Sequence, residues 1–216
     1  MNRKIIFWGA TGQSQVLHEI VSDQGFELIA LFENNVEVES PIAGVPIYYS
    51  QKGFDRWWLE TGSKVSDLWC LIAIGGDRGR DRLEIQRMLE EKGIKPATAL
   101  HQTAFVAQNA SLGKGVQILA NSSVCVNSRI GDGCIVNTGA IVEHGVFLSD
   151  GVHIGPGAIV TGEVFVGEYS FVGAGAVILP RLKIGANTIV GAGAVVTKDI
   201  PDNYVVSGNP AKKHKK

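Results

Sequence analysis

Hydrophobic and polar positions follow two different rhythms along the chain. Up to residue 99, apolar runs alternate with amphipathic stretches. Residues 4–8 (KIIFW), 28–32 (LIALF) and 68–74 (LWCLIAI) predict three strands, since short apolar runs closed by Gly or polar residues fit a buried parallel sheet. Val16, Leu17, Ile20 and Val21 form one helical face behind the first run, and residues 81–92 predict an amphipathic helix. Alternating strands and helices imply a small, mostly parallel α/β sheet whose ligand edge lies at the strand C-termini.

From Leu100 the rhythm becomes six. An aliphatic residue recurs at every sixth position through Val124, Val142, Val160 and Ile178 to Val196, 17 times without a gap. A helical period of 3.6 would lose this phase within two turns. Six residues fit one short strand and a turn, and three such strands close a triangular coil of 18 residues. The 17 hexads then make a little under six coils, a prism roughly 27 Å tall at the usual strand spacing. Glycines such as Gly131, Gly133, Gly173, Gly175, Gly191 and Gly193 suit its corners, as tight turns or positive-φ positions.

Composition sharpens the division. Charged residues fall from 25 in the first 99 positions to 12 in residues 100–211, while 17 of the 27 glycines lie in the latter. All four tryptophans (Trp8, Trp57, Trp58, Trp69) lie in the first part, and Lys212 to Lys216 form a basic tail, read as a solvated terminus. A net charge of −1 argues against nucleic acid as the main partner. No apolar run has the length of a membrane span and no basic-then-apolar leader opens the chain, so neither a span nor a signal peptide is expected. The cysteines Cys70, Cys125 and Cys134 lack metal-pair spacing and fit a reducing, cytoplasmic setting.

Candidate chemistry begins at Gly9-Ala10-Thr11-Gly12, where the first strand runs into a helix whose amides could receive a phosphate; a plain strand-to-helix connection fits equally well. Thr11 stands where a dinucleotide fingerprint would need its second glycine, which excludes a nicotinamide cofactor. This turn, the polar end of the second strand at Glu33-Asn34, the Ala73-Ile74-Gly75 strand end and the unbroken hexads together resemble one bacterial family. It is the sugar acyltransferase family of the hexapeptide-repeat superfamily, with sialic acid O-acetyltransferases and N-acetyltransferases of nucleotide-linked amino sugars. The resemblance runs through Val206-Ser207-Gly208-Asn209-Pro210-Ala211-Lys212, which looks like that family's closing segment.

The resemblance implies a Rossmann-like α/β domain at 1–99 that binds a nucleotide sugar, a left-handed parallel β-helix at 100–200, and a cap with the basic tail at 201–216. The hand comes from the resemblance alone, because general crossover rules favour the other. Asn137-Thr138-Gly139-Ala140-Ile141-Val142-Glu143-His144 is similar to the family's catalytic strand, which makes His144 the general base and Glu143 a residue that orients or polarises it. From position alone His144 reads as a surface histidine and Glu143 as a solvated carboxylate. His153 matches the family histidine that contacts the acetyl donor, and Ala174 and Ala192 fall on positions that touch coenzyme A. Smooth packing between subunits is the other reading of those alanines. Gly162 lies one 18-residue coil beyond His144, so its amide could meet an oxyanion or simply form a corner. The nucleotide sugar is placed near Thr11, Gly12, Gln13, Glu33, Asn34 and Gly75. Gln13 replaces a common histidine and Glu33-Asn34 a common Asp-Asp pair.

A zinc site of the γ-carbonic anhydrase kind is not expected, since its histidine pair is five residues apart and His144 and His153 are nine. The expected activity is acetyl-CoA-dependent N-acetylation of a nucleotide-linked 4-amino-dideoxy sugar, by direct transfer and without metal. O-acetylation of a sialic-acid-type sugar and a non-catalytic scaffold are the alternatives. Half a coil separates His144 from His153, and the faces around Val172–Val177 and Val190–Val195 are flat, so a homotrimer of about 69 kDa with sites at its subunit boundaries is expected.

Overall fold

The structure is a computed structural model describing residues 3–214; Met1, Asn2 and the last two lysines of the tail lie outside the described residues. Two compact units emerge, one built from the chain up to Ile74 with Glu84–Ala99, the other from Gly75–Leu83 with the chain from Leu100 onward. The segment Gly75–Leu83 therefore groups with the solenoid and not with the 1–99 domain expected from the sequence. Its anchor is Arg82, fully buried, whose Nε and Nη2 donate to the carbonyls of Gly133 (3.1 Å) and Gly151 (2.8 Å).

The front unit is a five-stranded, all-parallel sheet of β1 (Arg3–Trp8), β2 (Phe26–Glu33), β3 (Ile47–Tyr49), β4 (Leu68–Ile72) and β5 (Lys95–Pro96), in the order β3-β2-β1-β4-β5. Ile5, Ile6, Phe7 and Trp8 are all buried, as a central strand covered on both faces requires. Helix α1 (Gly12–Asp23) follows β1 and buries Leu17, Ile20 and Val21; Val16, expected on that face, points out at 42% exposure. Helix α2 (Ser50–Glu60) and β3 were not expected from the pattern. Phe54 and Trp57 of α2 join Ile6, Trp8, Ala30 and Phe32 in the core on one face of the sheet. Helix α3 (Gly79–Glu91) corresponds to the helix expected at 81–92, and its later part contributes Leu89 to that core.

The solenoid unit carries a two-residue strand on every hexad, from Ala99–Leu100 to Val195–Val196, and in each the second residue is the aliphatic of the six-residue rhythm. Strands 18 residues apart pair in parallel, stacking Val124 on Val142 and Val142 on Val160, which builds three parallel sheets. The inward residues are buried from Ile118 onward, whereas Leu100 is 37% exposed and Val106 and Leu112 half-buried because no coil precedes them. At the other end Val205–Ser207 extends one sheet, and Lys212–Lys213 closes it antiparallel.

The corners explain the glycines by two mechanisms. From Gly115 to Gly193, every sixth residue has a positive φ, and eight of these fourteen are glycine. Gly133 is one; Gly131 is not, but a Cβ there would lie 2.5 Å from Asp150 Oδ1 and 2.7 Å from its backbone nitrogen on the next coil. Among the non-glycine corner residues, Glu163, Tyr169 and Arg181 hold the left-handed conformation at a cost of about 1 kcal/mol each.

Candidate active site

In the solenoid unit, His144 sits in the turn between the strands Ile141–Val142 and Phe147–Leu148, exposed to solvent. The Nε2–Cε1 edge of its imidazole faces the next coil: a Cβ added to Gly162 would be 2.5 Å from Nε2 and 2.6 Å from Cε1. The Glu163 amide donates to the His144 carbonyl (2.9 Å), and Glu143 Oε2 accepts the His144 amide (3.2 Å). Glu143 thus meets His144 at its backbone amide. Glycine at 162 is what lets an imidazole rest there, with its Nε2–Cε1 edge against the next coil.

His153, on the strand His153–Ile154 of another sheet, is only 4% exposed. Its Nδ1 lies 3.0 Å from the Gly76 carbonyl and its Nε2 3.1 Å from Asn137 Nδ2. The roles can be assigned. Asn137 Oδ1 accepts the Thr138 amide (2.8 Å), so its NH2 group faces the ring and donates to Nε2. Nε2 must then be the bare nitrogen, and Nδ1–H donates to Gly76. Burial, with the Arg82 guanidinium adding repulsion, pulls the His153 pKa down to about 4, against a smaller upward pull from the Gly76 carbonyl. The ring is neutral at physiological pH, and both nitrogens are engaged within the chain. Gly75 borders the same ring, at 3.9 Å from a notional Cβ to Cε1.

Ala174 and Ala192 stack one coil apart on an exposed corner, joined by the Gly193 amide donating to the Ala174 carbonyl (2.8 Å). They present a wall of methyl groups and backbone, as the sequence predicts. Among the described residues no group of three or more His, Cys, Asp and Glu side chains could hold a metal ion. Cys134 is buried with its thiol pushed up to about 12 by desolvation, and Cys70 is likewise buried and shifted upward, so neither is a nucleophile.

In the front unit, Thr11 and Gly12 are exposed where α1 begins, with Gln13 half-buried behind them. Gly9, with φ +104°, is required by the fold, because a Cβ would lie 2.4 Å from the Ala73 carbonyl oxygen; Gly12 has open space instead. Glu33 and Asn34 end β2 and its loop. Glu33 Oε2 accepts the Ala10 amide (3.0 Å), and Oε1 accepts the amides of Asn34 (2.7 Å) and Asn35 (3.1 Å). The carboxylate therefore ties the two loops at the C-terminal edge of β1 and β2. Sequence reasoning missed Asn137 as a partner of His153 and missed Arg82 altogether; a lone arginine in an amphipathic helix carries no signal of burial.

Comparison with known proteins adds to this geometry. The bacterial transferase hexapeptide family (six repeats) matches residues 163–198. A mutant of perosamine N-acetyltransferase from Caulobacter crescentus, solved in complex with CoA and GDP-perosamine, is 31% identical over 99% of this chain and 97% of its own, with a TM-score of 0.89. The acetyltransferase domain of PglB from Neisseria gonorrhoeae, in complex with acetyl coenzyme A, is 30% identical over 99% of this chain and 100% of its own, at 0.85. WeeI from Acinetobacter baumannii is 26% identical over 98% and 100%, at 0.84. No curated protein sequence matches.

Proposed function

The chain belongs to the sugar acyltransferases of the hexapeptide-repeat superfamily, and from that premise we propose that it N-acetylates a nucleotide-linked 4-amino-dideoxy sugar with acetyl-CoA as donor. The observation that carries this reading is the end-to-end likeness to perosamine N-acetyltransferase, a protein solved with CoA and GDP-perosamine. Left-handed winding of the coils and a Rossmann-like front unit belong to the same reading. The order β3-β2-β1-β4-β5 supports the latter, since it reverses between β1 and β4, where such sheets bind nucleotides.

In the proposed reaction the sugar amine attacks the thioester carbonyl, the C–S bond breaks, and an amide forms. His144 takes a proton from the amine and returns one to the departing thiolate, so no covalent enzyme intermediate is needed. The seat on Gly162 supports this role by holding the Nε2–Cε1 edge of the ring beside the Gly162 backbone. Glu143 acts through the His144 backbone. The Gly162 amide serves the developing oxyanion, and the Ala174–Ala192 wall lies along the pantetheine arm. In the front unit, Thr11, Gly12, Gln13 and Asn34 receive the nucleotide; Glu33, with both oxygens engaged, shapes that edge. Gly75 contributes backbone to the sugar site.

The proposed assembly is a homotrimer. Its support is the stacked stripe Ile141, Ile159, Val177 and Val195, half-buried aliphatics along one flat sheet. Light scattering is expected to give three times 23.1 kDa; a fully active monomer overturns it.

The test is a panel of GDP-, UDP- and dTDP-linked amino sugars and their hydroxyl counterparts, with thiol release and product mass as readouts. Amine acceptors are expected to turn over, and His144→Ala to lose about 10²–10⁴-fold in kcat. Turnover of hydroxyl acceptors alone overturns the amine reading; unchanged activity in His144→Ala removes the base.

A further inference from the structure

The segment Gly75–Leu83 is a strap fastened along one corner of the solenoid. Residues 133, 151, 169 and 187 form that corner, each 18 beyond the last, and the strap meets all four. Arg82 donates to the carbonyls of Gly133 and Gly151. Gly79 lies so close that a Cβ would sit 2.2 Å from the Gly151 oxygen and 3.0 Å from Tyr169 Cα. The Arg80 guanidinium covers the Tyr169 ring at 4.6 Å, and its Nη2 reaches Asn187 Oδ1 (3.4 Å). Tyr169 holds a positive φ of 60° to offer that ring. Two arginines and a glycine thus fix a segment with no strand pairing of its own.

What the strap delivers is one carbonyl, that of Gly76, to His153 Nδ1. We propose that Arg82 is the positioning residue for His153: by clamping the strap it holds the Gly76 carbonyl on Nδ1–H, which together with the Asn137 donor keeps the ring in the Nδ1–H form and Nε2 a hydrogen-bond acceptor. Around the ring stand Ile135 and Phe171 on the paired strands, Asn137 from the following turn, and Gly75 and Gly76 from the strap. The charged group acting on it is Arg82. Protonating Nε2 would set its N–H against the Asn137 NH2, donor against donor. The consequence for chemistry is specific. His153 can take an N–H or O–H from a substrate, such as a pantetheine amide, in place of the Asn137 donor, but it cannot donate from Nε2 to a thioester carbonyl.

That His153 serves the acyl donor rests on the function proposed above; the tautomer does not. Long-range ¹H–¹⁵N imidazole spectra of the whole protein, assigned by the loss of one signal in His153→Gln, test it without turnover. The wild type is expected to show the Nδ1–H form, unchanged down to about pH 5. An Nε2–H form, or titration at the ordinary histidine midpoint, overturns the proposal. Arg82→Met is expected to raise the His153 midpoint, by removing the guanidinium's repulsion, and to mix the tautomers; a folded variant with the wild-type spectrum and midpoint overturns it. Should Arg82→Met not fold, Gly79→Ala displaces the strap with Arg82 intact and is expected to mix the tautomers as well. An unchanged ring in that folded variant counts equally against the strap. An inactive protein with the expected tautomer would sink the acetyltransferase reading and leave this one standing.

Discussion

The front unit and the solenoid reach a dry interior by opposite means. In the front unit a few large rings do the packing: Phe32 contacts Trp8, Phe54 and Trp57 at centroid distances of 5.7, 5.0 and 5.2 Å. The solenoid core contains no buried aromatic side chain among the described residues and is a column of Val, Ile, Leu and Ala repeated coil after coil. A core of unique pieces concentrates stability in single residues. A repetitive core spreads it, because each coil is held only by its two neighbours.

The largest expected effect breaks the front unit alone. Phe32→Ala removes a fully buried ring that touches four others, Tyr48 being the fourth, and is expected to cost about 3–5 kcal/mol. All four tryptophans lie in the front unit, so their fluorescence reports it, while amide hydrogen exchange of the hexad segments reports the solenoid separately. In urea the fluorescence midpoint is expected to fall well below the midpoint for loss of protection in the hexads. Coincident loss of both signals would make the two cores one cooperative unit.

Acid is expected to act on the solenoid. His153 is held neutral in the fold with a pKa near 4, below the ordinary 6.5, so the unfolded chain binds the extra proton first. Stability is therefore full above about pH 6.5 and is lost as pH falls toward 4, by a few kcal/mol at most. His153→Gln should flatten that slope in thermal melts between these pH values. A slope unchanged by the substitution would mean that His153 is charged in the native protein.

The solenoid itself is expected to be graded. Val160→Ala, mid-column and fully buried, should cost about 1–3 kcal/mol, while Leu100→Ala at the open first coil should cost well under 1 kcal/mol. Equal losses in urea titrations would contradict an end that is only half covered. Smallest of all is the thiol test. Cys125, half-buried, should react slowly with a thiol reagent in the native protein, and the buried Cys70 and Cys134 only after unfolding. Rapid labelling of Cys134 would mean that its coil opens.

The repeated part was legible in the sequence because one six-residue rhythm determines it locally: each strand carries its aliphatic where the rhythm puts it. In the front unit β1, β2 and β4 were legible as apolar runs. Helix α2 was not, since its Phe54 and Trp57 sit in eleven residues interrupted by Gly53 and gain their meaning from Trp8 and Phe32, distant in sequence. Val16 shows the same limit from the other side, an apolar residue on a helix left largely exposed. At the site, His144 and Gly162 could be paired by counting one coil. The Gly76–His153–Asn137 chain could not, because the strap reaches the solenoid through Arg82, a contact between residues with no shared period.

The stacking of one coil on the next also governs how the length of this protein can change over evolutionary time. Gain or loss of eighteen residues within the hexads keeps every aliphatic inside and every corner column aligned, as the pairing of Val142 with Val160 requires. A change of six would keep the aliphatics inside but carry every later residue round to the next face, removing Gly162 from beneath His144. Any other change absorbed within a coil turns valines to water, so it must leave the coil as a loop at a corner. Indels in this half of the gene are therefore confined to whole coils and corner loops.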